Sequence, residues 1–263
     1  MPTNIPLTHG QALRRLATAD FRLIETRHQR GMHVRGHEHA RACINFVLEG
    51  GYAETTANGP GLYGPLWSLF KPAGERHEND FRESGSRCLL VEARTNELPG
   101  SELFRPRETR DPRVAVVALR LWYELTRPDE LTELTVDELS NELYARALGA
   151  SDPPAPASKR LDRVVELLHD DPREAWTLSR LAGEVGLHPS HLARVFRRRH
   201  GRTIGEYLRE LRVGHVARAL ALGRRSIAEL AALAGFADQS HCTRSFRRLL
   251  GTTPAAYRRA LSC

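Results

Sequence analysis

Three histidines and a cysteine in the N-terminal half of this 263-residue chain have the types and spacing of metal ligands. His37, His39 and Cys43 share one parity, so a regular strand would turn all three to the same face. His77, placed on a facing strand, would complete a tetrahedral set. Three imidazoles and a thiolate suit Zn(2+) or another thiophilic divalent ion better than the metals of oxygen-rich sites. Four protein ligands would fill a tetrahedral zinc ion, which argues against hydrolysis, where one position stays open. His33 has the same parity but is one donor too many, so it is expected in a supporting or surface place. The plainer alternative stays open: Cys43 lies beside Ile44, Phe46, Val47 and Leu48 and can be ordinary core.

A second set of residues, in the last third, has the chemistry of DNA contact. One pattern occurs twice. The first copy runs Leu181 to Leu187 and then Ser190 to Arg197; the second runs Leu230 to Phe236 and then Ser240 to Arg247. Each continues to a glycine (Gly201, Gly251) and a tyrosine (Tyr207, Tyr257). An internal repeat constrains the fold more than a single motif. The pattern is that of a helix-turn-helix, in which a first helix braces a second whose N-terminal turns enter the major groove. Leu181, Val185, Leu192 and Phe196 are expected in the core of the first unit; Leu230, Ala234 and Phe246 in that of the second. Ser190, His191, Ala193, Arg194 and Arg197 are expected to face outward, as are Gln239, Ser240, His241, Thr243, Arg244 and Arg247. Arg194 and Arg244 are expected in the groove, where a guanidinium fork reads base edges. Arg197 and Arg247 are either phosphate contacts or plain surface.

The elements that must carry these residues follow from period and punctuation. Strands are expected at 21–27, 42–49, 52–56, 66–71 and 87–92, with glycine- and proline-rich turns between them. Short strands at this spacing predict a β-barrel or jelly roll. From Pro112 the apolar period becomes helical. One face is Val116, Leu119 and Tyr123, another Val117, Leu121 and Leu125; a second helix is expected at 132–148, with Leu139, Leu143 and Ala147 on one face. Residues 151–158 are proline-rich and cannot continue a helix. Beyond them helices are expected at 159–169, 178–185, 190–200, 204–222, 227–234, 240–250 and 254–261. Thr177 and Ser226 are the expected N-caps, and Gly186 and Gly235 the expected left-handed turns.

The fold class is thus α+β and multidomain: a β domain at 1–110, a helical linker or dimerisation segment at 111–150, a linker at 151–158 and an all-α domain at 159–263. Charge divides the same way. Residues 1–150 carry 19 basic and 21 acidic groups, and residues 151–263 carry 20 and 11, so the net charge of +7 belongs to the helical half. That half is expected to meet a polyanion. The four cysteines have no paired spacing of a secreted scaffold. No signal-peptide pattern or membrane-length apolar run occurs, so a cytoplasmic chain without membrane contact is expected.

The string Gly235-Phe236-Ala237-Asp238-Gln239-Ser240-His241, with Arg244, Phe246, Arg247, Gly251, Thr253, Pro254 and Tyr257-Arg258, resembles the signature of the AraC/XylS family of bacterial transcription regulators. The resemblance covers residues 160–261. It implies seven helices and two recognition helices in successive major grooves. The base-reading positions it implies are Ser190, Ala193 and Arg194, then Gln239, Ser240, His241 and Arg244. Cys242 stands where the family usually has a large apolar residue; either packing there is weaker or neighbours fill the space. Gly31, His37, His39, Cys43 and Gly50, with Pro72, Gly74 and His77, resemble the two metal motifs of the cupin superfamily. That pattern normally has glutamate where Cys43 stands.

Together these point to a sequence-specific DNA-binding regulator and not an enzyme. It would answer to a small molecule, a metal, or both, bound in a cupin barrel that Phe46, Tyr52, Trp67 and Phe70 help to line. The metal could support the fold or present itself to an effector. The partners implied are double-stranded DNA, a small-molecule effector, RNA polymerase if the chain is an activator, and a second copy as homodimer. Three alternatives remain: a metal-dependent cupin enzyme fused to a DNA-binding module, a metal or redox sensor using Cys43, and a constitutive DNA-binding protein whose β domain only dimerises.

Overall fold

The computed structural model describes residues 9–81, 85–94, 106–149, 158–222 and 225–261. The chain divides into two compact units, Met1–Arg127 with Leu139–Ser151, and Pro128–Glu138 with Asp152–Cys263.

In the first unit antiparallel strands form two sheets. The larger has the order β1(Gln11–Ala17), β2(Phe21–His28), β9(Ser86–Ala93), β4(Cys43–Gly50), β7(Ser68–Lys71), β10(Arg107–Thr109). The smaller has the order β3(His33–His37), β8(His77–Asp80), β5(Tyr52–Thr56), β6(Gly59–Tyr63). Side chains of both sheets meet in one core, with Val34 and Tyr52 from the smaller and Val47, Leu69 and Cys88 from the larger. This is the double-sheet closure of a jelly roll. Strands β1, β3, β6, β8 and β10 fall outside the five expected ranges, although His37 and His77, expected on strands, do lie on β3 and β8. β8 reads His-Glu-Asn-Asp and β6 Gly-Pro-Gly-Leu-Tyr, and neither has the apolar alternation that marks a half-buried strand.

Helix α1(Pro112–Thr126) starts where Asp111 caps it, its side chain accepting from the Arg113 N–H, with Pro112 in the first turn. Val117, Leu121 and Leu125 are buried, while the neighbouring Val116, at 55% exposure, is not. Helix α2(Thr132–Ala147) buries Leu139, Leu143 and Ala147 as the period predicts. Its Tyr144 hydroxyl donates to the Val91 carbonyl at 2.9 Å, which ties that end of α2 to β9.

The second unit contains α3(Ser158–Asp170), α4(Leu178–Glu184), α5(Pro189–His200), α6(Ile204–Leu222), α7(Ile227–Ala234), α8(Gln239–Leu250) and α9(Pro254–Leu261). It has two apolar cores. Leu181, Leu192 and Phe196 build the first, and Leu230, Ala234 and Phe246 the second. Helix α6 joins them: Ile204 and Leu208 enter the first, Val213, Val216 and Leu220 the second.

The segment expected as a separate helical linker at 111–150 is instead divided. Residues 128–138 belong to the helical unit, because Leu131 and Leu134 lie in its first core. Residues 151–157 of the proline-rich stretch lie outside the described residues. No described helix is long and apolar enough to cross a membrane.

Candidate nucleic-acid interface and histidine centre

The two helix-turn-helix units are built by caps. Thr177 caps α4 by accepting from the Arg180 N–H at 3.2 Å. Ser226 and Glu229 form a reciprocal capping box on α7. The turns need positive φ, which Gly186 (+61°) and Gly235 (+88°) supply. At Gly235 a side chain is also excluded, since a Cβ would stand 2.7 Å from the Arg173 Cα. Both recognition helices, α5 and α8, end on a left-handed glycine whose N–H returns to the Arg197 or Arg247 carbonyl.

Exposure separates the predicted base readers. Gln239, Ser240, Arg244 and Arg247 are exposed on α8, and His241 and Thr243 are half-buried. On α5, His191, Arg194 and Arg197 are half-buried, but Ser190 and Ala193 are only 5% and 4% exposed. The expectation that Ser190 and Ala193 face outward is therefore corrected. His188 caps α5 and draws Ser190 inward, its Nδ1 lying 2.8 Å from the Ser190 hydroxyl and accepting from the Ser190 N–H. Ala193 is small enough to pack in the first core with Leu192 and Phe196. Arg194 donates from Nε to the Ser190 carbonyl at 3.2 Å, which leaves the end of its guanidinium for an external acceptor. Arg199 pairs with Asp162 at 2.6 Å, a contact that fixes α5 on α3.

Sequence reading missed the group that holds α6 from outside the helix-turn-helix elements. Asp129 takes Arg209 bidentately, with Nε and Nη2 both at 2.6 Å, and Arg209 is 1% exposed. Burial opposes ionisation of Asp129, yet Arg209 holds its carboxyl below the usual range. Glu138 accepts from the Ile204 and Gly205 N–H groups at 2.6 and 3.0 Å, donors that the N-terminus of a helix leaves without an intrahelical partner. Its complete burial pushes that carboxyl up to about 8.

In the first unit, His37, His39 and His77 do come together, with one nitrogen of each within 4.8 Å of the others. His37 ends β3 and faces His77 at the start of β8, its direct cross-strand partner. His39 follows in the next loop. Two contacts fix which nitrogens are available: His37 Nδ1–H donates to the Arg35 carbonyl at 3.0 Å, and His77 Nδ1–H to the Glu75 carbonyl at 2.9 Å. Each Nε2 then carries a lone pair. That of His77 is buried without a hydrogen-bond partner, the kind of orphan that an ion satisfies. Burial, with Lys71 adding to it, pushes His39 down to about 3 and His77 to about 2, which keeps both rings neutral, the form that can ligate a metal.

Cys43 does not join them, which corrects the expected fourth ligand. β4 belongs to the other sheet, and counting parity from His39 fails once the chain leaves β3. Cys43 packs with Ile24 and Leu90, and burial pushes its thiol up to about 12. His77 likewise lies on the adjacent strand, not a facing one. The cavity at the three histidines holds about 40 Å³, enough for an ion and a few small atoms. Asn45, Tyr52, Lys71 and Asn79 line its other side. Lys71 forms an ion pair with Glu54 at 2.5 Å, and Asn79 donates to the same oxygen. Of the four aromatics expected in the barrel, Tyr52 lines this cavity; Phe46 and Phe70 are fully buried core.

Residues 181–260 match a family described as a helix-turn-helix domain. The chain is 35% identical over 85 residues to the probable transcription factor PqrA of Proteus vulgaris, covering 32% of this chain and 70% of that protein. It is 33% identical over 96 residues to a putative AraC-like transcription regulator of Streptomyces antibioticus, covering 36% of this chain and 32% of the relative. It is 29% identical over 134 residues to the virulence regulon transcriptional activator VirF of Yersinia enterocolitica, covering 50% and 49%. The chain thus spans half or less of the length of the last two relatives. With two capped helix-turn-helix units on a shared helix, and the α8 signature between Gly235 and Tyr257, this chain belongs to the AraC/XylS family of transcription regulators.

Proposed function

We propose that the chain is a sequence-specific DNA-binding transcription regulator whose β unit holds a divalent metal and a small effector. The observation that carries the first part is the repeated unit with an exposed basic recognition helix, Arg244 and Arg247 lying beside Gln239 and Ser240. Arg244 reads base edges, and the other exposed arginines meet phosphates. Double-stranded DNA is the partner, RNA polymerase a further one if the chain activates, and a second copy a third. Gel shifts on a site selected from random DNA test this. Affinity for that site should exceed that for random DNA and fall steeply with salt, as phosphate contacts release counterions. A flat salt titration would sink it.

The metal reading rests on the orphaned Nε2 of His77. His37, His39 and His77 would hold Zn(2+) or a similar divalent ion, which supplies a Lewis-acidic site when bound. Three protein ligands leave room for a coordinating group of an effector, which favours effector binding over a purely structural role. An effector regulates only if it binds two states of the chain unequally. Metal analysis of the purified protein should give one ion per chain in wild type and a large loss in His77→Ala; metal-free wild type after mild purification would end the idea. The same open coordination favours a second reading, a cupin enzyme joined to a DNA-binding module, since Cys43 no longer closes the site. Turnover of a bound ligand would distinguish it. A redox role for Cys43 loses support, because a buried, protonated thiol is a poor nucleophile.

A further inference from the structure

We propose that Glu130 is a positioning residue that sets base choice by the second recognition helix, acting through His241. The inference rests on reading α8 as a DNA-recognition helix. Glu130 lies in the loop between α1 and α2, more than a hundred residues before α8 in the chain. The structure places its Oε2 3.4 Å from His241 Nδ1. Both atoms are buried, and neither makes a hydrogen bond. Buried polar atoms without partners are rare and costly, so a small rotation that closes this contact is favoured.

The carboxylate is held from behind. Arg212 Nη1 lies 3.5 Å from the other oxygen of Glu130, and Arg212 is itself fixed by donating to the Pro172 carbonyl at 2.6 Å. The loop is pinned one residue earlier by the Asp129–Arg209 pair. Asp238 Oδ2 also approaches His241 Nδ1 but stands farther off, at 3.8 Å, while its Oδ1 caps α8 by accepting from the His241 N–H.

Among the predicted base readers of α8, Gln239, Ser240 and Arg244 are exposed, and His241 alone is half-buried. With Nδ1 turned to Glu130, the ring presents Nε2 on its far side in one direction. A reading group held within a narrow range of angles discriminates base edges better than a mobile one. Glu130 thus supports the reader as a carboxylate supports a metal-bound histidine.

The test is selection of binding sites from random double-stranded DNA by the full-length chain, carried out on wild type, Arg194→Ala, His241→Ala, Glu130→Gln and Glu130→Asp. Positions blurred by Arg194→Ala mark the α5 half-site, and those blurred by His241→Ala mark the α8 half-site. Glu130→Gln should lower discrimination at the α8 positions from roughly tenfold to about threefold and leave the α5 positions unchanged. Glu130→Asp, which keeps the charge, should retain more discrimination than Glu130→Gln. A wild-type profile in Glu130→Gln overturns the proposal, as does equal blurring of both half-sites, the mark of a folding role. A wild-type profile in His241→Ala overturns it too, since no reader would then be positioned. Failure of the wild type to enrich any sequence sinks the DNA-binding reading along with it.

Discussion

The two helix-turn-helix units share recognition-helix length, turn glycines and the left-handed glycine that ends each recognition helix, yet they differ in how their reading faces are made. Helix α5 turns Ser190 and Ala193 into its core, whereas on α8 the matching Ser240 is exposed and Thr243 half-buried. The first core is completed by Leu131 and Leu134 from outside the repeat; the second closes on the small Cys242. A repeated sequence therefore preserves the frame of a fold more faithfully than the face it presents. Positions equivalent by alignment, such as Ser190 and Ser240, differ in exposure because the capping residue differs: the His188 ring engages the Ser190 hydroxyl, and Asp238 caps only the backbone N–H of His241.

The largest effect should come from the outside support. Asp129→Ala takes the bidentate carboxylate away from the buried Arg209 guanidinium and should cost about 3–5 kcal/mol in denaturant unfolding. Amide exchange should quicken in α4 and α5 before α7 and α8; a loss equal in both would show that the two units depend on the support alike. Next, Arg244→Ala should weaken specific DNA binding by ~1–3 kcal/mol, and Arg194→Ala by less, in gel shifts against random DNA. The reverse order would mean that α5 is the principal reader. Cys242→Leu should lower stability by about 1–3 kcal/mol in thermal melts, since Phe236 and Phe246 share its buried core and added methylenes overpack it. A gain would reveal an unfilled void. Smallest of all, Ser190→Ala should change DNA affinity by less than about 0.5 kcal/mol, with Ser240→Ala the larger of the two.

The helical half was legible because its signals are local. Ser226 with Glu229, Gly235 and the apolar period fix α7 within its own residues, and α6 falls at 204–222 as predicted. Helix α8 begins one residue early, at Gln239, because Asp238 supplies the cap. The histidine cluster was legible in part. His37 and His39 are neighbours in sequence, but whether Cys43 or His77 stands beside them depends on which sheet each strand joins, a non-local matter. Asp129 and Arg209 gave no signal at all. An acidic residue before a helix is ordinary, and nothing near either residue announces a partner eighty positions away.

The division of α2 also bears on how such a chain can be cut or recombined. By composition the proline-rich stretch is the obvious joint, but severing it would leave Arg209 without its carboxylate, α6 without Glu138 and the first core without two leucines. The DNA-reading unit resumes after residues 139–151, which belong to the β unit, so the two are interleaved along the chain. A single crossover, in evolution or at the bench, cannot exchange one half without carrying away part of the other; the halves are inherited together or rebuilt at two joints.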